Sequence, residues 1–312
     1  MTEKILTFNA PDGKQIYYYK WLPNSEPWLI VQIAHGMAEH AARYRDFAQF
    51  LTQNGIAVYA NDHRGHGLTD KDTGNLGFFA EKKGWLKVLS DMNQLSRIIR
   101  QDYPDKKRVL FGHSMGSLLA RAYIVKYPGD FSGVILSGTS GQSGLVVSAG
   151  KFIAWTQGLF SGKHKPSKLL NNMTFKDYNK AIKRAKTDFD WLSKDPEQVQ
   201  KYIDDPLCGF VVSNRFYYDL LSLVQFIAKP HAFRLQPEDL PVFIISGAED
   251  PVGEMGKGVE KVYKKYLLAG GRNVEMKLYD GFRHEILNEV NKQQVYNDIL
   301  DWLESNFKSK NE

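Results

Sequence analysis

A pentapeptide with the pattern Gly-x-Ser-x-Gly stands between a predicted strand and a predicted helix. It reads GHSMG and centres on Ser114. A serine on a tight strand-to-helix turn presents its hydroxyl away from the backbone, and the glycines let the chain double back closely. The helix that follows offers free backbone N–H groups and the positive end of its dipole to an anion. The pattern therefore predicts that Ser114 is a nucleophile in acyl transfer.

A nucleophilic serine needs a histidine base, and the base needs a carboxylate that orients it. Of eight histidines, His284 directly follows the last predicted strand, and a parallel sheet would bring it to the same edge as Ser114. Asp250 follows another predicted strand and precedes a proline, while the adjacent Glu249 stays open as the alternative acid. The order Ser114, Asp250, His284 is the one found in α/β-hydrolases.

The oxyanion of a tetrahedral intermediate requires two N–H donors close to the nucleophile. The amide of Met115 follows Ser114, and Met37 lies in the segment HGMA after a predicted strand. Gly36 lets the backbone turn there, so that the Met37 N–H points inward. We also assign Gly36 and His113 to substrate binding. This chemistry requires no metal and no organic cofactor.

The elements that would position these residues alternate between strands and helices. Short segments typical of strands occupy residues 28–34, 108–112, 134–137, 241–246 and 274–279, and residues 85–99 show helical spacing. Such alternation predicts right-handed crossovers and a mostly parallel sheet. Strand-like segments become scarce between residues 142 and 236. We therefore predict a core formed by residues 1–141 and 237–312, with a helical cap at 142–236.

Five segments together resemble the monoacylglycerol lipase and lysophospholipase group of serine hydrolases. They are HGMAEHAARY, DHRGHGLT, GHSMG, GAEDPV and RHEILNE, in this order from residue 35 to 289. The resemblance implies an α/β-hydrolase fold, with a mostly parallel eight-stranded sheet flanked by helices and a mainly helical cap after strand 6. It implies the triad Ser114, Asp250 and His284, with Met37 and Met115 as oxyanion donors. It also implies a serine carboxylester hydrolase that cleaves a single-chain lipid ester, a monoacylglycerol or lysophospholipid, through an acyl-enzyme.

Two other functions remain open on the same fold. One is an aminopeptidase or amidase that uses the same triad. Its substrate's free amino group would need carboxylates in the cap, for which Asp204, Asp205 and Asp219 are candidates. The other is a non-catalytic ligand-binding protein, because a fold does not fix a function.

The segment 144–160 is largely apolar and contains one lysine. As a helix it either covers the pocket, with Phe152 and Trp155 as substrate contacts, or lies at a lipid surface with both side chains inserted. Tyr217, on an apolar helical face later in the cap, is likewise assigned to the substrate pocket. Basic residues suited to anionic headgroups follow directly: Lys163, His164, Lys165 and Lys168.

The segment DHRGHG contains two opposite charges, Asp62 and Arg64. Its glycines permit a tight turn. We expect the two side chains to form a buried ion pair beneath the loops that carry the site, in preference to the alternative, direct contact with substrate.

Composition narrows the remaining classes of function. The formal charge is +6, but 14 basic and 8 acidic residues lie between Gln142 and Leu235, and the rest of the chain carries 27 of each. The excess thus belongs to the cap, and with no recognisable motif we expect no nucleic-acid partner. One cysteine, no signal-peptide pattern and no run of about 18 apolar residues indicate a cytoplasmic protein, with peripheral membrane contact through the cap left open. The sequence makes no prediction of oligomeric state.

Overall fold

The computed structural model describes residues 1–182 and 184–308. Within these ranges the strands are β1 (Thr2–Asn9), β2 (Gln15–Leu22), β3 (Leu29–Ala34), β4 (Ile56–Asn61), β5 (Lys107–His113), β6 (Gly133–Ser137), β7 (Val242–Gly247) and β8 (Val274–Tyr279). They form one sheet in the order β1-β2-β4-β3-β5-β6-β7-β8. The β1–β2 and β2–β4 pairs are antiparallel, and the other neighbours are parallel. The predicted α/β-hydrolase fold is confirmed.

The central strands are apolar because helices cover both faces of the sheet. Every residue of β3, β4, β6 and β7 is buried. Gln32 in β3 is a polar exception, and its side-chain amide donates to the Met92 carbonyl over 3.0 Å. This bond lets a polar group stay in the core.

Helices connect most of the parallel strands, and one helix follows the last strand. In the described residues they are α1 (Arg45–Gln53), α2 (Gly67–Asp70), α3 (Gly84–Asp102), α4 (Met115–Lys126), α5 (Leu145–Phe160), α6 (Lys168–Phe175), α7 (Pro196–Asp204), α8 (Asn214–Ala228), α9 (Pro230–Arg234), α10 (Lys257–Leu268) and α11 (Lys292–Phe307). Short 3-10 turns occupy Ala41–Tyr44, Tyr178–Ala181 and Ile286–Asn288. Across these same ranges, each helix is too short or too polar to cross a membrane.

The helices α5 to α9 all lie between β6 and β7, where the sequence predicts a helical insertion. Side-chain caps stabilise the first turn of two of these helices. The Asp195 side chain accepts the N–H of Glu197 at the start of α7, and the Ser213 hydroxyl accepts the N–H of Phe216 in α8. The Asp219 carboxylate of α8 accepts the Gly84 N–H over 2.9 Å. This bond ties α8 to the beginning of α3.

The prediction of an ion pair between Asp62 and Arg64 is wrong. The Asp62 carboxylate instead accepts two backbone N–H bonds, of 2.8 and 2.7 Å, which satisfy a fully buried charge. Arg64 points the other way, and its guanidinium pairs with Asp91 in α3 and with Asp12 in the β1–β2 turn. Both residues thus fix loops, but they do so separately.

Candidate active site

Ser114 occupies the turn between β5 and α4. Its backbone has φ +52° and ψ −120°, in the left-handed half of φ space that is strained for a residue with a Cβ. Its N–H donates to the Ser137 carbonyl over 2.9 Å, and its carbonyl accepts the Ser117 hydroxyl over 2.6 Å. Gly116 approaches β3 so closely that a Cβ there would overlap the Ala34 carbonyl oxygen. Neighbouring elements therefore hold the strained turn in place.

His284 follows β8 and contacts a carboxylate that follows β7. Its Nδ1 lies 2.9 Å from Asp250 Oδ2, and both side chains are buried. The same carboxylate accepts the Ser246 hydroxyl and the Val252 N–H. Because Nδ1 faces a carboxylate, Nδ1 carries the proton and Nε2 is left as the basic nitrogen. Glu249 is exposed and pairs with a lysine, so the structure brings Asp250 to the imidazole instead.

The charges in this pair oppose the effect of burial. Burial would lower the pKa of His284, but the Asp250 carboxylate raises that pKa above its ordinary value. Burial would raise the pKa of Asp250, but the imidazole and the hydrogen bonds to the carboxylate lower it. His113, whose ring centroid is 4.7 Å from that of His284, has its pKa lowered to about 3 by burial and by His284. His113 is therefore neutral when His284 titrates.

The loop after β3 lies against the serine turn. A Cβ on Gly36 would be 3.3 Å from the Ser114 Cβ. In the part of the chain that the structure describes, the N–H groups of Met37 and Met115 donate to no protein acceptor. Free N–H groups flanking a serine are what an oxyanion needs. His35 steadies the loop, because its Nδ1 lies 2.7 Å from the Gly36 carbonyl oxygen.

Three charged residues that sequence analysis left without a role connect this loop to His284. Glu39 Oε1 accepts the Gly36 N–H over 2.6 Å, and Glu39 Oε2 accepts from Arg43 over 2.7 Å. The Arg43 guanidinium also holds both carboxylate oxygens of Glu285, the residue after His284. These side chains line a small cleft together with His113. The i,i+4 spacing of Glu39 and Arg43 in HGMAEHAARY is the one signal in the sequence that could have indicated their ion pair.

A second contact missed from the sequence comes from the segment before α7. The His284 N–H donates to the Trp191 carbonyl over 3.4 Å, and the Glu285 N–H donates to Leu192 over 2.7 Å. The Trp191 ring packs on the His284 imidazole at 5.3 Å between centroids. The Arg283 guanidinium holds the same segment through the carbonyls of Asp190 and Ser193. Some 90 residues separate these partners in sequence, and no local pattern links them.

The other residues assigned to substrate binding lie in different environments. Gly36 touches the serine turn, and His113 lies behind His284, where its Nδ1 is 3.2 Å from the Ser137 hydroxyl. Tyr217 is buried in α8, and its hydroxyl donates to Asn171 over 3.5 Å. Phe152 and Trp155 are 62% and 48% exposed on the outer surface of α5. Their contact with substrate stays a prediction.

The carboxylates considered for an amino group already have partners. Asp219 is buried and pairs with Arg215, and Asp205 bonds to His40 Nε2 over 2.8 Å. Asp204 is exposed and accepts from Gln200. The three side chains therefore do not form a pocket for a free ammonium group.

Known proteins resemble the chain over nearly its whole length. The family model described as serine aminopeptidase, S33, matches residues 25–291. The monoacylglycerol lipase of Mycolicibacterium smegmatis is 29% identical over 307 residues, which cover 96% of each chain. Human monoglyceride lipase is 26% identical over 94% of this chain and 88% of its own length. A thermostable carboxyl esterase from Bacillus coagulans, solved in complex with glycerol, superposes with a TM-score of 0.91 and 31% identity over 98% and 99% of the two chains.

Proposed function

The chain belongs to the serine aminopeptidase S33 family of hydrolases, and on that premise we propose that Ser114, His284 and Asp250 hydrolyse its ester substrate. The protein is a carboxylic ester hydrolase that acts on lipid esters. The observation that carries the proposal is the buried contact between His284 Nδ1 and Asp250 Oδ2, at the same sheet edge as the strained Ser114 turn. We propose a monoacylglycerol or a lysophospholipid as the single-chain substrate.

The family description names a peptidase, but two observations favour ester cleavage. The two lipases and the carboxyl esterase described above, which match nearly the whole chain, bear lipase and esterase names. Asp204, Asp205 and Asp219, the carboxylates that an α-amino group would require, are exposed or engaged in other bonds. A purely ligand-binding role would leave the Ser114 strain and the buried His284–Asp250 pair unused.

In the proposed reaction, the Ser114 Oγ attacks the ester carbonyl while His284 Nε2 takes its proton. Asp250 stabilises the imidazolium that forms. The N–H groups of Met37 and Met115 donate to the oxyanion. His284 then protonates the leaving alcohol, and the acyl group remains on Ser114. A water molecule, deprotonated by the same histidine, releases the fatty acid. Protein side chains carry each proton in this scheme, so the proposed steps require no metal or organic cofactor.

Labelling with a fluorophosphonate tests the nucleophile directly. We expect one label per wild-type chain and none on Ser114→Ala, while Ser148→Ala, altered at an exposed serine of α5, is labelled like wild type. The two esters, a monoacylglycerol and lysophosphatidylcholine, should be hydrolysed faster than an aminoacyl anilide. A folded wild-type protein that takes no label, or that prefers the anilide, would refute the proposal.

We further propose that residues 142–236 act as a cap on a core of 1–141 and 237–312. Support comes from the bonds that the insertion makes to the site loops. The Gly209 N–H and the Tyr202 hydroxyl both donate to the Ala38 carbonyl, next to Met37. Trp191 packs on His284. Movement of the insertion would therefore alter both the oxyanion loop and the base.

We also propose that the protein is cytoplasmic and that its cap contacts a membrane surface peripherally. Large apolar side chains on one broad face of α5 are 48 to 89% exposed; this cap patch consists of Leu145, Val146, Phe152, Trp155, Leu159 and Phe160. Such a face, flanked by cations, suits the boundary between lipid headgroups and acyl chains. Lys163 and His164 contact Glu81. Lys165 and Lys168 have no carboxylate within 4.0 Å among the described residues, and they support contact with anionic lipid.

A further inference from the structure

Three side chains with metal-binding atoms converge where the insertion meets the loop after β3. His40 precedes the 3-10 turn Ala41–Tyr44, and Asp205 and Cys208 follow α7. A ring nitrogen of His40, a carboxylate oxygen of Asp205 and the Cys208 Sγ all lie within 4.8 Å of one another. They come from two segments more than 160 residues apart in sequence. The fold, and not local spacing, brings the three donors together.

The donor set fits a thiophilic divalent cation. Imidazole nitrogen, carboxylate oxygen and thiolate sulfur are the ligand types that Zn²⁺ takes, at about 2.0 to 2.3 Å. A thiolate disfavours Ca²⁺ and Mg²⁺, which prefer oxygen ligands. His40 Nε2 and Asp205 Oδ2 are 2.8 Å apart as a hydrogen-bonded pair. In a tetrahedral site these atoms would be about 3.3 Å apart, so an ion replaces the shared proton after a small outward shift.

The surroundings support binding at this position. His40 and Cys208 are buried, and the Asp205 side chain is 30% exposed, which leaves an ion a path from solvent. The Leu207 N–H donates to Asp205 Oδ1 over 2.8 Å and orients the carboxylate, as outer-shell groups do in metal sites. The nearby Arg43 is neutralised by its two carboxylate partners. Metal binding expels the thiol proton of Cys208.

We propose that His40, Asp205 and Cys208 bind one zinc-type cation, with water as the fourth ligand, and that the bound ion inhibits hydrolysis. The inhibition rests on the proposed function, whereas the binding does not. His40 lies three residues from Met37, the proposed oxyanion donor, and the two other ligands belong to the insertion. A bound ion therefore fastens the insertion to the oxyanion loop and slows its opening. This site is separate from Ser114, and catalysis does not require it.

Titration with Cd²⁺, a spectroscopic substitute for Zn²⁺, tests the site in the full chain. A cadmium–thiolate bond gives an ultraviolet charge-transfer band, and Cys208 is the single cysteine, so no other thiol in the chain contributes. We expect the band to saturate at one ion per chain. Cys208→Ser should abolish it, and His40→Gln should weaken binding at least tenfold. His231→Gln, altered at an exposed histidine of α9, should bind as wild type does.

Circular dichroism without metal shows whether each variant is folded. If a variant fails to fold, protection of wild-type Cys208 from a thiol reagent by stoichiometric Zn²⁺ supplies the same test. Wild-type protein with no band at one equivalent, or folded His40→Gln with unchanged affinity, would overturn the site. Hydrolysis of a short-chain ester should fall at least tenfold with bound Zn²⁺ in wild type, but not in Cys208→Ser. Zinc binding without inhibition would refute the proposed inhibition. A folded, metal-free enzyme that hydrolyses no ester would refute the proposed function and leave the cadmium result intact.

Discussion

Arg43 and Glu285 form a bidentate ion pair beside the proposed catalytic base. Both guanidinium–carboxylate bonds are 2.7 Å long, and both side chains are largely buried. Burial would raise the pKa of Glu285, but Arg43 lowers that pKa to about 2. The pair therefore stabilises the fold above the unfolded-state pKa of Glu285, and this stabilisation is lost as pH falls towards 2. The same guanidinium also bonds Glu39, so it joins the His284 loop to the Gly36 loop.

Arg43→Met should destabilise the protein and slow the chemistry. It leaves two buried carboxylates unpaired, which costs about 3 to 5 kcal/mol in the free energy of unfolding. Because His284 and Gly36 lose a shared anchor, we expect kcat to fall about 100-fold, with a smaller change in KM. Denaturant unfolding and steady-state kinetics on a short-chain ester measure the two effects.

Arg45→Met is the matched control for this change. Arg45 is two residues away and also pairs with a glutamate, but its side chain is 51% exposed. Loss of an exposed pair costs about 0 to 1 kcal/mol, and kcat should not change. Arg43→Lys keeps the charge but cannot form the bidentate bond to Glu285, so its kcat should lie between those of the two Met variants. Equal losses in both Met variants would contradict a positioning role for Arg43.

The sequence supported prediction of this fold because its local signals agree with its tertiary structure. Doubly buried strands appear as continuous apolar segments, so the segment predicted at 28–34 agrees with β3, Leu29–Ala34, to within one residue. The Ser114 turn has a short glycine pattern, because the strained turn packs closely against its neighbours and leaves no room for a Cβ. His284 and Asp250 could be selected because parallel strands bring their following loops to one edge.

The remaining contacts depend on tertiary packing that no spacing encodes. Arg64 was expected to pair with its close neighbour Asp62, but it reaches Asp91, 27 residues away. Trp191 reaches His284 from the insertion, and nothing in the sequence around Trp191 indicates this contact. The position of Phe152 on the outer or inner surface of α5 also depends on which face packs on α8. Periodicity defines a helix's apolar face but not its partner.

The pH dependence of kcat/KM should report the raised pKa of His284. The base must be neutral, so activity is full at high pH and declines as pH falls through that pKa. Because Asp250 raises the pKa, the midpoint of the acid limb should lie above the ordinary histidine value of 6.5. His113, with a pKa of about 3, does not contribute to this limb. A midpoint below 6.5 in enzyme that is still folded would argue against His284 as the base.

Asp250→Asn should move that limb in the opposite direction. Without the carboxylate, burial is the main influence left on the imidazole, and it favours the neutral form. The midpoint should therefore shift to lower pH while kcat falls by about four orders of magnitude, because the tautomer of His284 is no longer fixed. Glu249→Gln is the control, since the exposed Glu249 pairs with Lys194. If Glu249→Gln caused the larger loss, Glu249 and not Asp250 would be the acid.

Replacement of the exposed apolar side chains at both ends of α5 should reduce binding to lipid vesicles. Leu145 and Phe160 are 88% and 89% exposed, and burying each in a bilayer interface is worth about 1.5 to 3 kcal/mol. The double variant Leu145→Ser/Phe160→Ser should therefore bind vesicles at least 100-fold more weakly in a flotation assay. Leu268→Ser is the control, because Leu268 is 87% exposed at the end of α10, outside the cap patch.

Wild-type binding to vesicles should strengthen with anionic lipid, and Lys165→Gln/Lys168→Gln should remove that dependence. Hydrolysis of a short, water-soluble ester should stay unchanged in all three variants, since none alters a proposed catalytic side chain. Equal vesicle binding by wild type and Leu145→Ser/Phe160→Ser would refute contact through the cap patch.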